Sequence, residues 1–239
     1  MEIFVITDNR AWFDKINNWR NQQSDTVDIF CSPKGQHLFN EEICAGLIST
    51  LNVKSEYKKL INNYKIGFSC HCKQVFPPEL VGSIKCFNVH PGMNPYNRGW
   101  FPQVFSILNG LPSGATIHEM NSEIDSGPII AQREVQILDD DTSKGVYRKI
   151  LSTEFALFDE NISRIIQGKY TSSTPGTKGN YNSIYDFKEL CQIDLDKQVT
   201  FREAIDYLRA MTFDGYENAY FYSKNGQRIY VSINLNAEK

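Results

Sequence analysis

Apolar and polar residues follow two different periods along the first part of the chain. Short apolar runs predict strands at Glu2 to Thr7, Val27 to Cys31, Ile66 to Cys70 and Ile84 to Val89, with a shorter one within Leu47 to Val53. Between them, apolar residues recur at helical spacing over Arg10 to Gln22 and over Ser55 to Tyr64, where Ser55 can serve as N-cap. Strands that alternate with helices predict a parallel α/β sheet, which binds ligands beyond the carboxyl ends of its strands.

The pattern changes after His90, where prolines, glycines and polar residues interrupt regular structure. A helix is predicted from Trp100 to Asn109, followed by two strands of a bent hairpin, Ala115 to Met120 and Pro128 to Ile137. A long helix then runs from Thr142 or Ser143 to about Gln167, and the glycines at 110 and 168 end the two helices.

A Ser/Thr/Gly-rich stretch, TSSTPGTKGNYNS, reads as a loop or linker between the core and the C-terminal region. Beyond it, Thr200 and Glu203 form a capping-box pattern that opens a helix to about Met211, and Asn225-Gly226 predicts a β-hairpin. We therefore predict a catalytic core over residues 1–170. Residues 171–239 are predicted to form a linker and a small C-terminal helix plus β-hairpin appendage.

Composition narrows the class of protein. The 239 residues are 41% hydrophobic, enough for a packed core, and the formal net charge of −3 disfavours a nucleic-acid partner. No apolar run approaches the roughly 18–20 residues of a membrane span, and the acidic first residues do not resemble a signal peptide, so we expect a cytoplasmic location with reduced cysteines. In SCHC, Cys70 and Cys72 would face away from His71 on a strand, which argues against a metal site.

Three polar residues of the core suggest a reaction centre: Asn88 and His90 at a strand end, and Asp125 in the loop NSEIDSG. Their chemistry fits acyl transfer to an amine, because an imidazole can relay a proton, a carboxylate can orient it and an amide can donate to an oxyanion. The same residues also fit a turn cap, a hydrogen-bonded loop histidine and a turn aspartate. Spacing alone does not bring Asp125 near His90.

The motifs FNVHPG and GATIHEMNSEIDSGPIIAQ resemble the folate-dependent formyltransferase family. The family pattern is Asn-x-His-Pro at a strand end, then Gly-Ala-Thr-x-His, then an Asp before Gly-x-Ile-Ile, and the resemblance covers roughly residues 1–165. It implies a Rossmann-like formyltransferase core, 10-formyltetrahydrofolate as formyl donor, and Asn88, His90 and Asp125 as the catalytic set. His118, within the same pattern, is expected to be a packed, hydrogen-bonded histidine.

Within the family, NPYNRGWFPQVF and HCKQVFP look most like the enzymes that formylate dTDP-linked amino sugars. The resemblance implies a substrate such as dTDP-4-amino-4,6-dideoxyglucose and a role in lipopolysaccharide O-antigen biosynthesis. Expected cofactor-binding residues are Cys72, Lys73, Phe76, Asn121, Ile124 and Asp125. Candidate substrate-binding residues, which supply cations, aromatic rings or an amide, are Asn9, Arg10, Lys73, Arg98, Trp100 and Tyr181.

Other acceptors stay open at this point. They are a dTDP-linked 3-amino sugar, glycinamide ribonucleotide, a tRNA-linked amine and, in a deformylase, water; a folate- or nucleotide-binding module without turnover is the alternative outside enzymes. The C-terminal hairpin is rich in aromatic residues, which favour interfaces, so we also predict a homodimer through this hairpin. The aromatic residues concerned are Tyr216, Tyr220, Phe221, Tyr222 and Tyr230.

Overall fold

A seven-stranded sheet organises the computed structural model, which describes residues 2–238. The strands β1 to β11 are, in chain order, Glu2–Ile6, Thr26–Cys31, Ser49–Thr50, Ile66–Cys70, Lys85–His90, Arg98–Gly99, Gly114–Glu119, Ile129–Glu134, Tyr181–Asn182, Ala219–Tyr222 and Arg228–Val231. The helices α1 to α8 are Arg10–Arg20, Asn40–Cys44, Val53–Asn63, Pro78–Ser83, Pro102–Asn109, Ser143–Ile166, Ile184–Cys191 and Phe201–Met211, and Gln36–Leu38 forms a 3₁₀ turn. Within residues 2–238, none of these helices has the length and apolar character that a membrane crossing requires.

The strand order in the large sheet is β3-β2-β1-β4-β5-β7-β8. The pairs from β3 to β5 are parallel, and β7 joins β5 in antiparallel direction. Because β1, β2, β4 and β5 run in one direction, their carboxyl ends meet at one edge of the sheet. The predicted Rossmann-like α/β core is therefore confirmed.

Helices bury both faces of this sheet. On one face, Phe4 of β1 contacts Tyr64, which follows α3, and Phe76, with ring centroids 5.4 and 6.0 Å apart. On the other face, Trp12 of α1 meets Phe158 of α6 edge-to-face at 5.5 Å. All of these rings except that of Tyr64, which remains slightly exposed, are almost completely buried, so the sheet is the apolar centre of a three-layer arrangement.

Most predicted elements are present, with ends shifted by a few residues. The predicted N-cap Ser55 is wrong: α3 begins at Val53, because Asn52 Oδ1 accepts a hydrogen bond from the Lys54 N–H at 3.1 Å. The helix predicted from Trp100 begins instead at Pro102, since the Trp100 N–H bonds to the Asn182 carbonyl at 2.9 Å. The third predicted strand shortens to β3.

In the C-terminal region, the capping and turn motifs predicted the helix and the hairpin correctly. The capping box of Thr200 and Glu203, the end of α8 at Met211 and the hairpin around Asn225-Gly226 are confirmed. Helix α7 was not predicted, although Ser183 and Asp186 form a second capping box at its start. The short helices α2 and α4 were also missed, because so few residues show no helical period.

The described chain divides into two compact units that are discontinuous in sequence. The first comprises residues up to 90, 116–131 and 155–175; the second comprises 91–115, 132–154 and the residues from 176 onward. In the second unit α5 packs on α8, and Arg209 of α8 donates to the carbonyls of Leu138 and Asp141 at 3.0 and 3.1 Å. The catalytic core of residues 1–170 and the appendage of residues 171–239 stay a prediction about domains.

The contact between Gly67 and Phe4 offers a test of core packing. The two residues are register partners in β4 and β1, and a Cβ at Gly67 would lie 2.2 Å from Phe4 Cζ. We expect Gly67→Ala to lower the free energy of unfolding by about 1–3 kcal/mol, because the buried ring cannot move aside without overpacking the core. Urea denaturation measures the change.

Gly82→Ala is the matched control, since its Cβ would have no atom within 4 Å and Gly82 lies in α4. Alanine favours a helix over glycine by about 0.8–1 kcal/mol, so this variant should be as stable as the wild type or more stable. Equal stability of the two variants would contradict the packing account.

Candidate active site

The carboxylate of Asp125 joins the polar side chains at the end of β5. Asn88 Nδ2 donates to Asp125 Oδ1 at 2.8 Å, and His90 Nδ1 lies 3.5 Å from Asp125 Oδ2. Asn88 and His90 reach the same carboxylate because residues two apart on a strand face one side. The structure thus brings together the three residues that the sequence suggested, although Asp125 lies 37 positions after Asn88.

The position of the carboxylate distinguishes the two ring nitrogens of His90. The Nδ1–H form faces Asp125, which leaves Nε2 as the nitrogen that can accept a proton. A distance of 3.5 Å is longer than a good hydrogen bond, yet it is close enough for the charge to orient the ring and stabilise an imidazolium. The His90 side chain is only 4% exposed, so this attraction acts with little screening by water.

The loop between β7 and β8 aims Asp125 at these partners. Asp125 adopts a left-handed backbone, with φ of 50°, which aspartate tolerates better than most residues. Asn121 Oδ1 accepts hydrogen bonds from the Glu123 N–H and the Ser126 hydroxyl, both at 3.0 Å, and these bonds tighten the loop. A Cβ on Gly127 would lie 1.7 Å from the Glu119 carbonyl oxygen, so only glycine lets the chain return this closely to β7.

His118 is a second imidazole beside the same carboxylate. It pairs with Asn88 across β5 and β7, its Nε2 lies 3.7 Å from Asp125 Oδ1, and its Nδ1 is 2.7 Å from the Glu119 carbonyl oxygen. Since a carbonyl only accepts hydrogen bonds, Nδ1 carries a proton. His118 is 1% exposed, which agrees with the predicted packed and hydrogen-bonded histidine.

Asp8, just beyond β1, links the ends of the two strands that flank β1 in the sheet. Its Oδ1 accepts from the Ser32 N–H after β2, and its Oδ2 accepts from the Lys73 N–H after β4, both at 2.8 Å. Asp8 is 4% exposed, so these bonds offset the cost of burying its charge. Nothing in the local sequence around Asp8 signals this bridging role.

The predicted cofactor-binding residues lie on two segments of the first unit. Cys72, Lys73 and Phe76 follow β4, whereas Asn121, Ile124 and Asp125 belong to the loop after β7. Phe76 is buried against Phe4, so only its backbone can face a ligand, while the side chain of Ile124 is 42% exposed. The Lys73 side chain is exposed, but its N–H is already bound to Asp8.

Of the substrate-binding candidates in the first unit, Asn9 and Arg10 already have partners. Asn9 caps α1 through a bond from the Trp12 N–H at 3.1 Å, and its Nδ2 lies 3.4 Å from His71 Nδ1. The Arg10 guanidinium forms an ion pair with Glu42 at 2.6 Å and lies 3.5 Å from Asp14. Its charge is therefore neutralised locally, and Arg10 is a weaker candidate for a diphosphate than the sequence suggested.

The other three candidates converge within the second unit. Arg98 pairs with Tyr181 in the two-stranded sheet of β6 and β9, and Trp100 N–H bonds to Asn182 of the same sheet. Arg98 is 8% exposed, whereas Trp100 and Tyr181 expose 36% and 44% of their surface. A guanidinium and two accessible rings on one short sheet are groups that suit an anionic, ring-containing ligand.

Two buried cysteine thiols, those of Cys72 and Cys86, are held in their unreactive protonated form. Burial, together with the nearby Asp8 carboxylate, raises the pKa of Cys72 to about 12, and burial alone raises the pKa of Cys86 to about 12. Both stay protonated at neutral pH, and the thiolate is the reactive form. Among residues 2–238, no group of three or more His, Cys, Asp or Glu side chains is arranged to hold a metal ion.

Two family models match the chain. The model described as "Formyl transferase" matches residues 2–162, and the one described as "N-formyltransferase dimerization C-terminal domain" matches residues 186–237. The chain belongs to the formyltransferase family. This formyltransferase is therefore an enzyme, as the sequence resemblance implied.

Three relatives illustrate the similarity. A "dTDP-4-amino-4,6-dideoxyglucose formyltransferase" from Mycobacterium bovis is 39% identical over 100% of this chain and 98% of its own. A 4-N formyltransferase from Francisella tularensis is 50% identical, with a TM-score of 0.97 over 99% of this chain and 98% of its own. A formyltransferase from Anoxybacillus kamchatkensis, in complex with UDP-4,6-dideoxy-4-formamido-L-AltNAc and tetrahydrofolate, is 26% identical, with a TM-score of 0.62 over 79% and 89% of the two chains.

The geometry generates a direct test of the three central residues. We expect His90→Asn, Asn88→Ala and Asp125→Ala each to lower the turnover of this formyltransferase at least about 10²-fold while the fold persists, as expected when a general acid–base group or an oxyanion donor is lost. Steady-state kinetics of formyl transfer, with circular dichroism of each purified variant, measures both quantities. Asp125→Asn should be included, because asparagine tolerates the left-handed backbone better than alanine.

His37→Asn is the matched control, since His37 is exposed in the 3₁₀ turn and its ring nitrogen contacts the Lys34 carbonyl, far along the chain from the three central residues. It should keep wild-type turnover. A folded His90→Asn enzyme with near wild-type activity would show that the chemistry assigned to His90 is wrong.

Proposed function

We propose that this enzyme transfers a formyl group from 10-formyltetrahydrofolate to the 4-amine of dTDP-4-amino-4,6-dideoxyglucose. The choice of acceptor rests on the 39% identity, over the whole chain, to the dTDP-4-amino-4,6-dideoxyglucose formyltransferase of Mycobacterium bovis. The Asp125-centred geometry supports the reaction class, because its acid–base and donor groups suit acyl transfer to an amine without a covalent enzyme intermediate. The product would serve lipopolysaccharide O-antigen biosynthesis.

The residues of the first unit fit the formyl donor. Cys72 and Lys73 lie at the carboxyl end of β4, the edge where such sheets bind ligands, and Ile124 presents an accessible apolar side chain on the Asp125 loop. These segments would hold the folate by backbone groups and apolar contact, as the family resemblance implied. Bound 10-formyltetrahydrofolate supplies an activated formyl group on a nitrogen that can leave.

Each central residue has one task in the proposed direct transfer. Asn88 uses one amide hydrogen for Asp125, and its second hydrogen donates to the formyl oxygen as that oxygen gains negative charge. His90 accepts a proton at Nε2 from the sugar amine as that amine forms its C–N bond to the formyl carbon. It then gives the proton to the folate nitrogen as the old C–N bond breaks, so one proton moves from the attacking to the departing nitrogen. Asp125 stabilises the imidazolium between these two steps.

The second unit offers groups for the nucleotide-linked sugar. Arg98 supplies a cation of the kind that binds phosphate oxygens, and the rings of Trp100 and Tyr181 can cover a pyranose or a base. We propose these three residues as the main contacts of the acceptor. The net charge of −3 agrees with a small anionic acceptor rather than a tRNA.

We also propose a homodimer formed through the C-terminal hairpin, in the reducing cytoplasm. One face of the hairpin carries Tyr220, Tyr222, Tyr230 and Arg228, with the guanidinium carbon 4.2 Å from the ring centroid of Tyr220. Such clusters of Tyr and Arg are enriched in interfaces. Phe221 alternates to the other face, so the exposed cluster is smaller than the sequence suggested. The free thiols of the six cysteines fit the location.

The acceptor can be identified by direct competition. With 10-formyltetrahydrofolate present, four acceptors are compared at equal concentration by the mass gained on formylation: dTDP-4-amino, dTDP-3-amino and UDP-linked 4-amino sugars, and glycinamide ribonucleotide. We expect the highest kcat/KM for dTDP-4-amino-4,6-dideoxyglucose. A strong preference for the 3-amino sugar would overturn the amine position only, whereas preference for glycinamide ribonucleotide over every nucleotide sugar would overturn the substrate class.

Light scattering tests the dimer. The wild type should have the mass of a dimer at micromolar concentration, and Tyr222→Glu should shift it toward the monomer by burying a charge in the interface. Tyr185→Glu, on an exposed residue of α7 outside the hairpin, is the comparison. A monomeric wild type would end the proposal, and dissociation by the Tyr185 variant alone would move the interface away from the hairpin.

A further inference from the structure

A buried asparagine immediately precedes β6, at the start of the two-stranded sheet of β6 and β9. Asn97 is 0% exposed, and its amide takes part in hydrogen bonds with Ser106 and three other asparagines. Its Nδ2 donates to Ser106 Oγ at 3.0 Å and to Asn109 Oδ1 at 3.3 Å. Its Oδ1 accepts from Asn109, Asn180 and Asn182 at 2.8, 2.7 and 3.2 Å. We call Asn97, Asn109, Asn180 and Asn182 the asparagine cluster.

The asparagine cluster adjoins, along the chain, the residues proposed to bind the acceptor. Asn97 precedes Arg98 in the chain, and Asn180 and Asn182 flank Tyr181. The Asn97 N–H also donates to Asn180 Oδ1 at 2.8 Å, so the two segments are joined through both backbone and side chain.

The backbone alone holds this sheet weakly. Strands β6 and β9 have two residues each, and an isolated pair of such short strands is marginal in water. Two further backbone bonds, from the N–H groups of Arg98 and Trp100 at 3.1 and 2.9 Å, complete the pairing. The side-chain amide of Asn97 therefore supplies much of what fixes the register of Arg98 against Tyr181.

The local conformation also favours asparagine at this position. Asn97 has a φ of 48°, in the left-handed region that asparagine and glycine adopt most readily. Its amide uses both donor hydrogens and its acceptor oxygen inside the protein, which a buried polar group requires. Glycine would satisfy the backbone but would remove every side-chain bond.

We propose that Asn97 is a positioning residue that sets the affinity for the nucleotide-linked sugar without touching it. Its amide holds Arg98, Trp100 and Tyr181 in a single arrangement, so that the cation and the two rings meet the acceptor together. This inference rests on the proposed function, in particular on the placement of the acceptor at Arg98 and Tyr181.

Asn97→Gly is the informative variant, because it keeps the left-handed backbone and deletes only the amide. We expect the KM for the nucleotide-linked sugar to rise between about tenfold and 10²-fold, as when binding groups are misplaced by about 1 Å. The kcat and the KM for 10-formyltetrahydrofolate should stay close to the wild type, since only binding of the acceptor is weakened.

Asn161→Ala is the control for loss of a buried amide elsewhere. Asn161 is 6% exposed in α6 of the first unit, and its Nδ2 donates to the Leu157 carbonyl at 2.7 Å. This variant should lose stability without a selective change in the KM of the sugar. If Asn97→Gly changes kcat and both KM values together, or raises the KM of the sugar no more than Asn161→Ala does, the positioning role is wrong.

Hydrogen exchange gives a readout that does not depend on activity. In Asn97→Gly, the backbone amides of Arg98 and Trp100 should exchange faster than in the wild type, while those of α8 should be unchanged. Unchanged exchange at Arg98 and Trp100 would overturn the proposal even if the sugar KM rises. Failure of the wild type to formylate any nucleotide sugar would instead overturn the proposed function, and the exchange result would still decide the structural role of Asn97.

Discussion

The shared carboxylate of Asp125 is the interaction on which the reaction centre depends. Its side chain is only 12% exposed, and a charge removed from water is costly unless it is paired and hydrogen-bonded, as this one is by Asn88, His90 and His118. In return, the carboxylate fixes the direction of the amide and the tautomer of His90. The pairing of Asn88 with His118 across β5 and β7 makes this possible, since a slip of one residue would turn the polar side chains to the opposite face.

Local signals in the sequence predicted local features of the fold. The alternation of Asn88 and His90 at a strand end, the Thr200 capping box and the Asn225-Gly226 turn all involve residues a few positions apart. The incorrect cap at Ser55 has the same origin, because Asn52 three residues earlier offers a similar side chain and the sequence does not rank the two. Helix α7 was missed because its capping box adjoins a stretch rich in Ser, Thr and Gly.

Contacts between distant residues could not be predicted in the same way. The approach of Asp125 to His90 came from a family resemblance, and spacing alone left it open. The asparagine cluster has no signature in the sequence, because Asn97 alone looks like an ordinary loop residue. Its partners Asn180 and Asn182 lie more than eighty positions later in the chain. The pairing of Arg10 with Glu42 is similar, because an isolated cation in a sequence does not reveal the acid that neutralises it.

The bridge made by Asp8 also bears on how this edge of the sheet can change during evolution. One carboxylate anchors the backbone after β2, at Ser32, and the backbone after β4, at Lys73. An insertion beside either anchor would pull an amide out of reach and leave a buried oxygen without its donor, at a cost of about 1–3 kcal/mol. We therefore expect changes of loop length to fall beyond Ser32 in the segment after β2 and beyond Lys73 in the segment after β4.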